Sequence, residues 1–129
     1  MRINRLHQVA AKSAGVAKMV EFYRDKLGAR LIAQFDPPGI VFFDLNGVRL
    51  LFEDGVGPAH LYFGVDDIQV ARAELEAAGV VFDSDIHMIH QDDAGDFDNP
   101  GSQEWMTFFK DPAGNTCALA SRTWQCAEE

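Results

Sequence analysis

His7 in RLHQVAA and His60 in PAHLYFGV each sit on the predicted first strand of a unit that the chain repeats. Two imidazoles presented from matching strands are the start of a metal site, because a neutral histidine nitrogen is a ligand that Fe, Mn, Ni and Zn all accept. Tyr62 follows His60 by two residues and shares its strand face, so its phenol could pass a proton to a group held there. His87 and His90, in DIHMIH, are three apart on a predicted strand and so point to opposite faces, which leaves at most one of them for the same cavity. His87 is the candidate, as an acid–base group or a further ligand. Arg49 lies in an otherwise apolar strand and shares the face of Leu51. It calls for a carboxylate partner such as Glu53, or an anionic substrate, since an unpaired buried charge is costly.

Two copies of one pattern, residues 3–53 and 59–121, position these groups. Each reads as strand, amphipathic helix, glycine and three strands. In the first copy residues 3–11 are the opening strand, with Arg5, His7, Val9 and Ala11 on one face. Ser13 is placed to cap a helix in which Val16, Met19, Val20, Tyr23 and Leu27 recur at three- and four-residue steps, and Gly28 ends it. Strands are predicted over 29–35, 40–45 and 48–53, the last two joined by Asn46-Gly47, a two-residue hairpin signal. A Gly/Pro linker over 54–58 precedes the second copy. There the strand is 60–65, and the helix, capped by Asp66 or Asp67, carries Ile68, Ala71, Leu75 and Ala78 on its apolar face before Gly79. Strands over 80–89, 103–109 and 115–121 follow, then a tail over 122–129. Residues 91–102 have no counterpart in the first copy and read as an acidic loop, either a lid over a pocket or a plain surface loop. The whole chain, 1–129, is expected to form one domain.

Composition narrows the function classes. The chain has 129 residues, 47% of them hydrophobic, as in a folded globular domain. With 20 acidic against 11 basic residues its net charge is −9, and its lysines and arginines are scattered singly. A phosphate-binding surface needs a basic stripe, so nucleic acid is not an expected partner. No apolar run approaches the ~20 residues of a membrane span, and the N-terminus lacks the apolar core of a signal peptide. Cys117 and Cys126 form no CxxC pair, which fits free thiols in a reducing cytoplasm. No glycine-rich phosphate loop or nucleophile elbow is present, so nucleotide chemistry and serine hydrolysis are set aside.

The FYRDKLGA segment (22–29), HLYFGVDDI (60–68), AAGV (77–80) and FFKDPAGNTCAL (108–119) together resemble the vicinal oxygen chelate superfamily of glyoxalases, extradiol dioxygenases and bleomycin-resistance proteins. The resemblance covers essentially the whole chain. It implies an α+β fold of two tandem βαβββ modules, forming a concave eight-stranded mixed sheet with the helices outside, and a homodimer. In the metalloenzymes of that superfamily one residue from the first and one from the last strand of each module hold the metal. His7 and His60 fall on the first-strand positions. The last-strand positions, usually Glu, are Leu51 and Ala118 here, and neither binds a cation.

Three readings follow from this mismatch. In one the site is rebuilt with His7, His60 and a carboxylate from Glu104, provided Glu104 faces the cavity with Met106 and Phe108 rather than the helix. The inward orientation is the expected one, because a buried unpaired Glu against a helix is costly. Such a set suits Fe, Mn, Ni or Zn in lyase, isomerase or dioxygenase chemistry on a small-molecule substrate, with Glu104, His87 and Tyr62 in the proton transfers. In the second the protein has no metal cofactor and binds a small molecule, as bleomycin-resistance-type members do. Phe42, Arg49, Leu51, Phe52, Trp105, Met106, Phe108 and Ala118 then line the pocket. The third is a scaffold with a filled core.

Overall fold

A computed structural model describes residues 1–97 and 99–123. Asp98 of the predicted loop and residues 124–129 of the predicted tail, Cys126 among them, lie outside the described residues. Among the described residues eight strands divide equally between two four-stranded sheets, and the chain separates into two compact units.

The first unit comprises Met1–Ala59 together with Asp111–Thr116. Its elements are β1 (Gln8–Lys12), α1 (Val16–Val20), a π-helical continuation over Glu21–Lys26, β2 (Arg30–Phe35), β3 (Ile40–Leu45) and β4 (Val48–Glu53). The sheet runs β1-β4-β3-β2, with β1 parallel to β4 and the other pairs antiparallel. The first strand is shorter than the sequence predicts and begins after His7. Ser13 does not cap the helix. Its hydroxyl accepts from Gly15 N at 2.9 Å, and Gly15, with φ 110°, is the residue that precedes the first turn. The helix then widens, Leu27 N–H reaching the Phe22 carbonyl five residues back at 3.0 Å. A widened turn rotates successive side chains toward one side, and here it buries both Phe22 and Tyr23. Tyr23 is the centre of the core, its ring 4.5 Å from that of Phe52 and 5.7 Å from that of Phe43. Asn46 (φ 49°) and Gly47 (φ 95°) make the β3–β4 turn left-handed at both positions, as the Asn-Gly pair predicts.

The Asp111–Thr116 segment belongs to this unit through a buried polar network. Asp111 accepts from Tyr23 Oη at 2.7 Å and from Asn115 Nδ2 at 2.7 Å, and its other oxygen takes Ala113 N and Asn115 N. Asn115 in turn donates to the Lys12 carbonyl at 2.9 Å and accepts from Ala59 N at 2.8 Å.

The second unit comprises His60–Lys110 and the chain from Cys117 on. It holds β5 (His60–Gly64), α2 (Ile68–Ala77), β6 (His87–Asp92), β7 (Ser102–Lys110) and all but the first residue of β8 (Thr116–Thr123), in the sheet order β5-β8-β7-β6. Asp67 caps α2, accepting from Gln69 N and Val70 N at 3.1 Å each. Arg72, on α2, donates to the Ser84 carbonyl (2.6 Å) and to Thr107 Oγ1 (2.7 Å), and its guanidinium lies 4.5 Å from the Phe82 ring centroid. The third-from-last strand corrects the sequence reading. It runs from His87 to Asp92 instead of over 80–89, and only an isolated bridge from Phe82 to Phe109 marks the earlier apolar stretch.

Candidate functional site

Strand alternation and register assign each predicted site residue to a face. In the second unit Thr107 bonds Arg72 of α2, and Phe109 packs on Phe82 with ring centroids 5.1 Å apart. Trp105 and Gln103 share this helix-side face. Together with Ile68, Gln69 and Ile86 they border a cavity of about 550 Å³ at the start of α2. Glu104, Met106 and Phe108 therefore point away from the helix, which is the orientation expected of Glu104. Phe108 lies 6.4 Å from Tyr62 and 6.3 Å from His87, centroid to centroid. Trp105, predicted to line the same pocket, is separated from these residues by the thickness of the sheet.

The two histidines of β6 overturn the two-residue rule. His87 pairs with Met106 and His90 with Glu104, and the register slips between Met88 and His90. This bulge inserts one residue, so His87 and His90 both face the side of Glu104 despite their odd spacing. His87 Nδ1 donates to the Asp85 carbonyl at 2.9 Å, which leaves Nε2 as the acceptor nitrogen of the neutral ring. His60 opens β5, is exposed, and is in phase with Tyr62.

A second cavity, about 440 Å³, is bordered by Tyr62, Gly64, Asp66, Glu104, Ala120 and Arg122. Arg122 is a residue that the sequence reading assigned to the tail. The period-two series Ala118, Ala120, Arg122 was the signal for it. Its guanidinium donates to Ser102 Oγ at 3.0 Å, lies 3.5 Å from the buried Asp92 carboxylate and stands 5.6 Å from the Phe97 centroid. Asp92 also accepts from Asp96 N and Phe97 N, so one buried carboxylate ties the loop after β6 to β8. The cavity thus offers a phenol, a carboxylate and a guanidinium over aromatic neighbours. Those groups can orient a polar, planar molecule.

In the first unit Phe43 and Phe52 face Tyr23. Phe52 is thus part of the helix-side core, because its place in β4 is out of phase with Leu51. Phe42, Arg49 and Leu51 share the opposite face, with Phe42 paired to Leu51. Arg49 finds no carboxylate partner at Glu53. Its Nη2 lies 3.0 Å from His7 Nε2, and its backbone N–H donates to the His7 carbonyl at 3.1 Å. A guanidinium only donates, so His7 accepts through Nε2 and keeps its proton on Nδ1.

Within either unit taken by itself, a divalent ion does not fit the donors present. The lone pair that His7 would offer is engaged by a permanent cation, and a second cation at the same nitrogen would be repelled. Leu51 and Ala118 are buried and carry no donor. Within either unit, among the described residues, no three His, Cys, Asp or Glu side chains gather into a metal-holding group.

The sequence itself supplies the class. Residues 5–119 match the model of the Glyoxalase/Bleomycin resistance protein/Dioxygenase superfamily, and the chain belongs to that superfamily. Among solved structures it is similar to a lactoylglutathione lyase from Agrobacterium tumefaciens, with TM-score 0.72 and 21% identity over 94% of this chain and 96% of that one. It is also similar to TnmS3, an antibiotic binding protein from Streptomyces sp. CB03234, with TM-score 0.70 and 20% identity over 95% and 99%. A third is a glyoxalase/bleomycin resistance protein/dioxygenase from Alicyclobacillus acidocaldarius, at TM-score 0.66 and 20% identity over 94% of each chain. At such identities the likeness establishes the α+β fold. No curated protein matches the sequence. No helix among the described residues is long and apolar enough to cross a membrane.

Proposed function

We propose that this chain is a small-molecule-binding protein of the bleomycin-resistance type that works without a metal, and that its ligand is planar and polar. The observation that carries this reading is the hydrogen bond from Arg49 to His7 Nε2, which takes the first-strand histidine out of the ligand set expected for lyase or dioxygenase chemistry. The 440 Å³ cavity of the second unit is the binding surface in this reading. Tyr62 and Phe108 supply stacking area, Glu104 accepts from a cationic or N–H-bearing edge of the ligand, and Arg122 fixes the loop beside it. His87 and His90 supply further hydrogen-bonding positions on the same face. A homodimer is the assembly that the superfamily resemblance implies, and the cytoplasm is the setting that the cysteine usage suggests; light scattering on the purified chain tests the assembly.

The test pairs elemental analysis of the purified, untagged protein with titration of planar aromatic antibiotics, followed by calorimetry and melting temperature. Saturable binding that weakens in Tyr62→Ala and Glu104→Gln, with no stoichiometric metal, is the expected result. Near one Fe, Mn, Ni or Zn per chain, lost on His7→Ala, would sink the reading and restore the enzyme.

A further inference from the structure

The rung of the first sheet that holds Arg49 is built like a cation site, although the cation is a side chain. Register places Gln8, Arg49, Asp44 and Arg30 side by side across β1, β4, β3 and β2. Asp44 is engaged by Arg30 at 3.6 Å, which neutralises one guanidinium and leaves Arg49 as the uncompensated charge of the rung. A chain of net charge −9 therefore keeps one locally positive spot on this face. Arg49 is held from two directions, by its backbone bond to the His7 carbonyl and by the His7 ring, and its guanidinium carbon lies 5.9 Å from the Phe42 centroid. One of its five N–H groups serves His7, and the remaining fork is free to meet an oxyanion in the bidentate geometry that guanidinium favours.

The next rung is apolar. Ala10, Leu51, Phe42 and Ala33 lie in line, about 7 Å along the strands from the charged rung by two residues of strand rise. Phe35 extends this surface, edge-on to Phe42 with centroids 6.2 Å apart, and it is 51% exposed, which is unusual for so large an apolar ring. Leu51 itself is buried, so the open part of this surface is half-buried Phe42 with Ala33 and Phe35 beside it. A fixed cation one rung away from an apolar, aromatic floor is complementary to a planar aromatic acid.

We infer that Arg49, held by His7, binds the carboxylate of a planar aromatic acid whose ring lies against Phe42 and its neighbours Ala33 and Phe35. A guanidinium is a permanent monocation, unlike a removable metal ion. It keeps the attraction for an oxyanion and gives up Lewis acidity. This subsite lies wholly within the first unit and stands apart from the reading of the Tyr62–Glu104 cavity.

The probe is 2-naphthoate, with the uncharged 2-naphthamide as its isosteric control, titrated into the full chain by calorimetry and followed by amide chemical shifts. Naphthoate is expected to bind more tightly than naphthamide, and its shifts are expected to centre on Phe35, Phe42 and Arg49. Arg49→Gln raises the naphthoate Kd at least tenfold and leaves naphthamide within twofold. Arg49→Lys, which keeps the charge and loses the fork, gives an intermediate loss. Equal Kd values for naphthoate in wild type and Arg49→Gln, or no naphthoate binding at millimolar concentration, overturn the assignment. So does binding that disappears in Tyr62→Ala while surviving Arg49→Gln, an outcome that leaves the second-unit cavity intact as a reading. A melting curve for each variant shows whether the fold is kept, and Arg49→Lys provides the decisive comparison if Arg49→Gln unfolds.

Discussion

Replacing Asn115 with alanine tests whether the turn before β8 is held by hydrogen bonds or merely by its glycine and proline. The Asn115 side chain is fully buried, and its amide makes bonds to the Lys12 carbonyl, Asp111 Oδ2 and Ala59 N at 2.9, 2.7 and 2.8 Å. Each such bond contributes about 1 kcal/mol net, and the bond to a carboxylate about 2. Truncation also strands the Ala59 N–H and the Lys12 carbonyl, so the summed loss is about 4 kcal/mol. For a chain of 129 residues that corresponds to a melting temperature lower by roughly 10–15 °C. Urea unfolding followed by circular dichroism gives the free energy directly, and the slope with denaturant should be unchanged if only the native state has suffered. Asn115→Asp should be at least as damaging, because it sets a second carboxylate against Asp111 and removes the donor. A loss below about 1.5 kcal/mol in the alanine variant would refute the reasoning, since it would mean that backbone or water replaces the amide at little cost.

Other perturbations separate binding from folding. Arg72→Ala removes bonds to Ser84 and Thr107 and the contact with Phe82, and is expected to cost about 2–3 kcal/mol in chemical denaturation. Glu76→Ala, which removes only the exposed end of the 3.3 Å ion pair with Arg72, should cost less than about 0.5 kcal/mol in the same assay. Asp67→Ala deletes the side-chain cap of α2 and is expected to lower stability by about 1 kcal/mol, with a matching loss of amide protection over the first turn. Tyr62→Ala, at a residue 57% exposed, should leave the melting temperature within a few degrees of the parent while weakening a planar ligand about tenfold in titration calorimetry.

Much of the fold was legible because turns announce themselves. Asn46-Gly47 set β3 and β4 to the residue, and Asp67 and Gly79 bracketed the second helix, since these residue types answer local backbone demands that no tertiary contact need decide. The edge strand β6 left no such trace. Five of its six residues are exposed, so it has no alternation to read, and the apolar stretch before it drew the prediction upstream. Its bulge, which turns His87 and His90 to one side, depends on pairing with β7 and is invisible in residue types. The orientation of Glu104 was accessible from the cost of the alternative. Separating Trp105 and Phe52 from the pocket residues required knowing which face the helices cover. The Arg49–His7 contact could not be foreseen, because it follows from the parallel register of β1 on β4, a long-range pairing.

The placement of the Asp111–Thr116 turn within the first unit has a consequence for synthesis. Lys12 and Asn115 are separated by 103 positions, so the amide that clasps β1 leaves the ribosome long after the strands it secures. At about 5–20 residues per second the nascent first unit waits several seconds without its clasp. During that interval the Lys12 carbonyl and the Tyr23 hydroxyl await the bonds that Asn115 and Asp111 later supply. A fragment ending at Ala59 is the permanent form of that waiting state. Supplying the missing turn in trans, as a peptide spanning 108–119, is a direct way to ask how much of the first unit's order arrives from the far end of the chain.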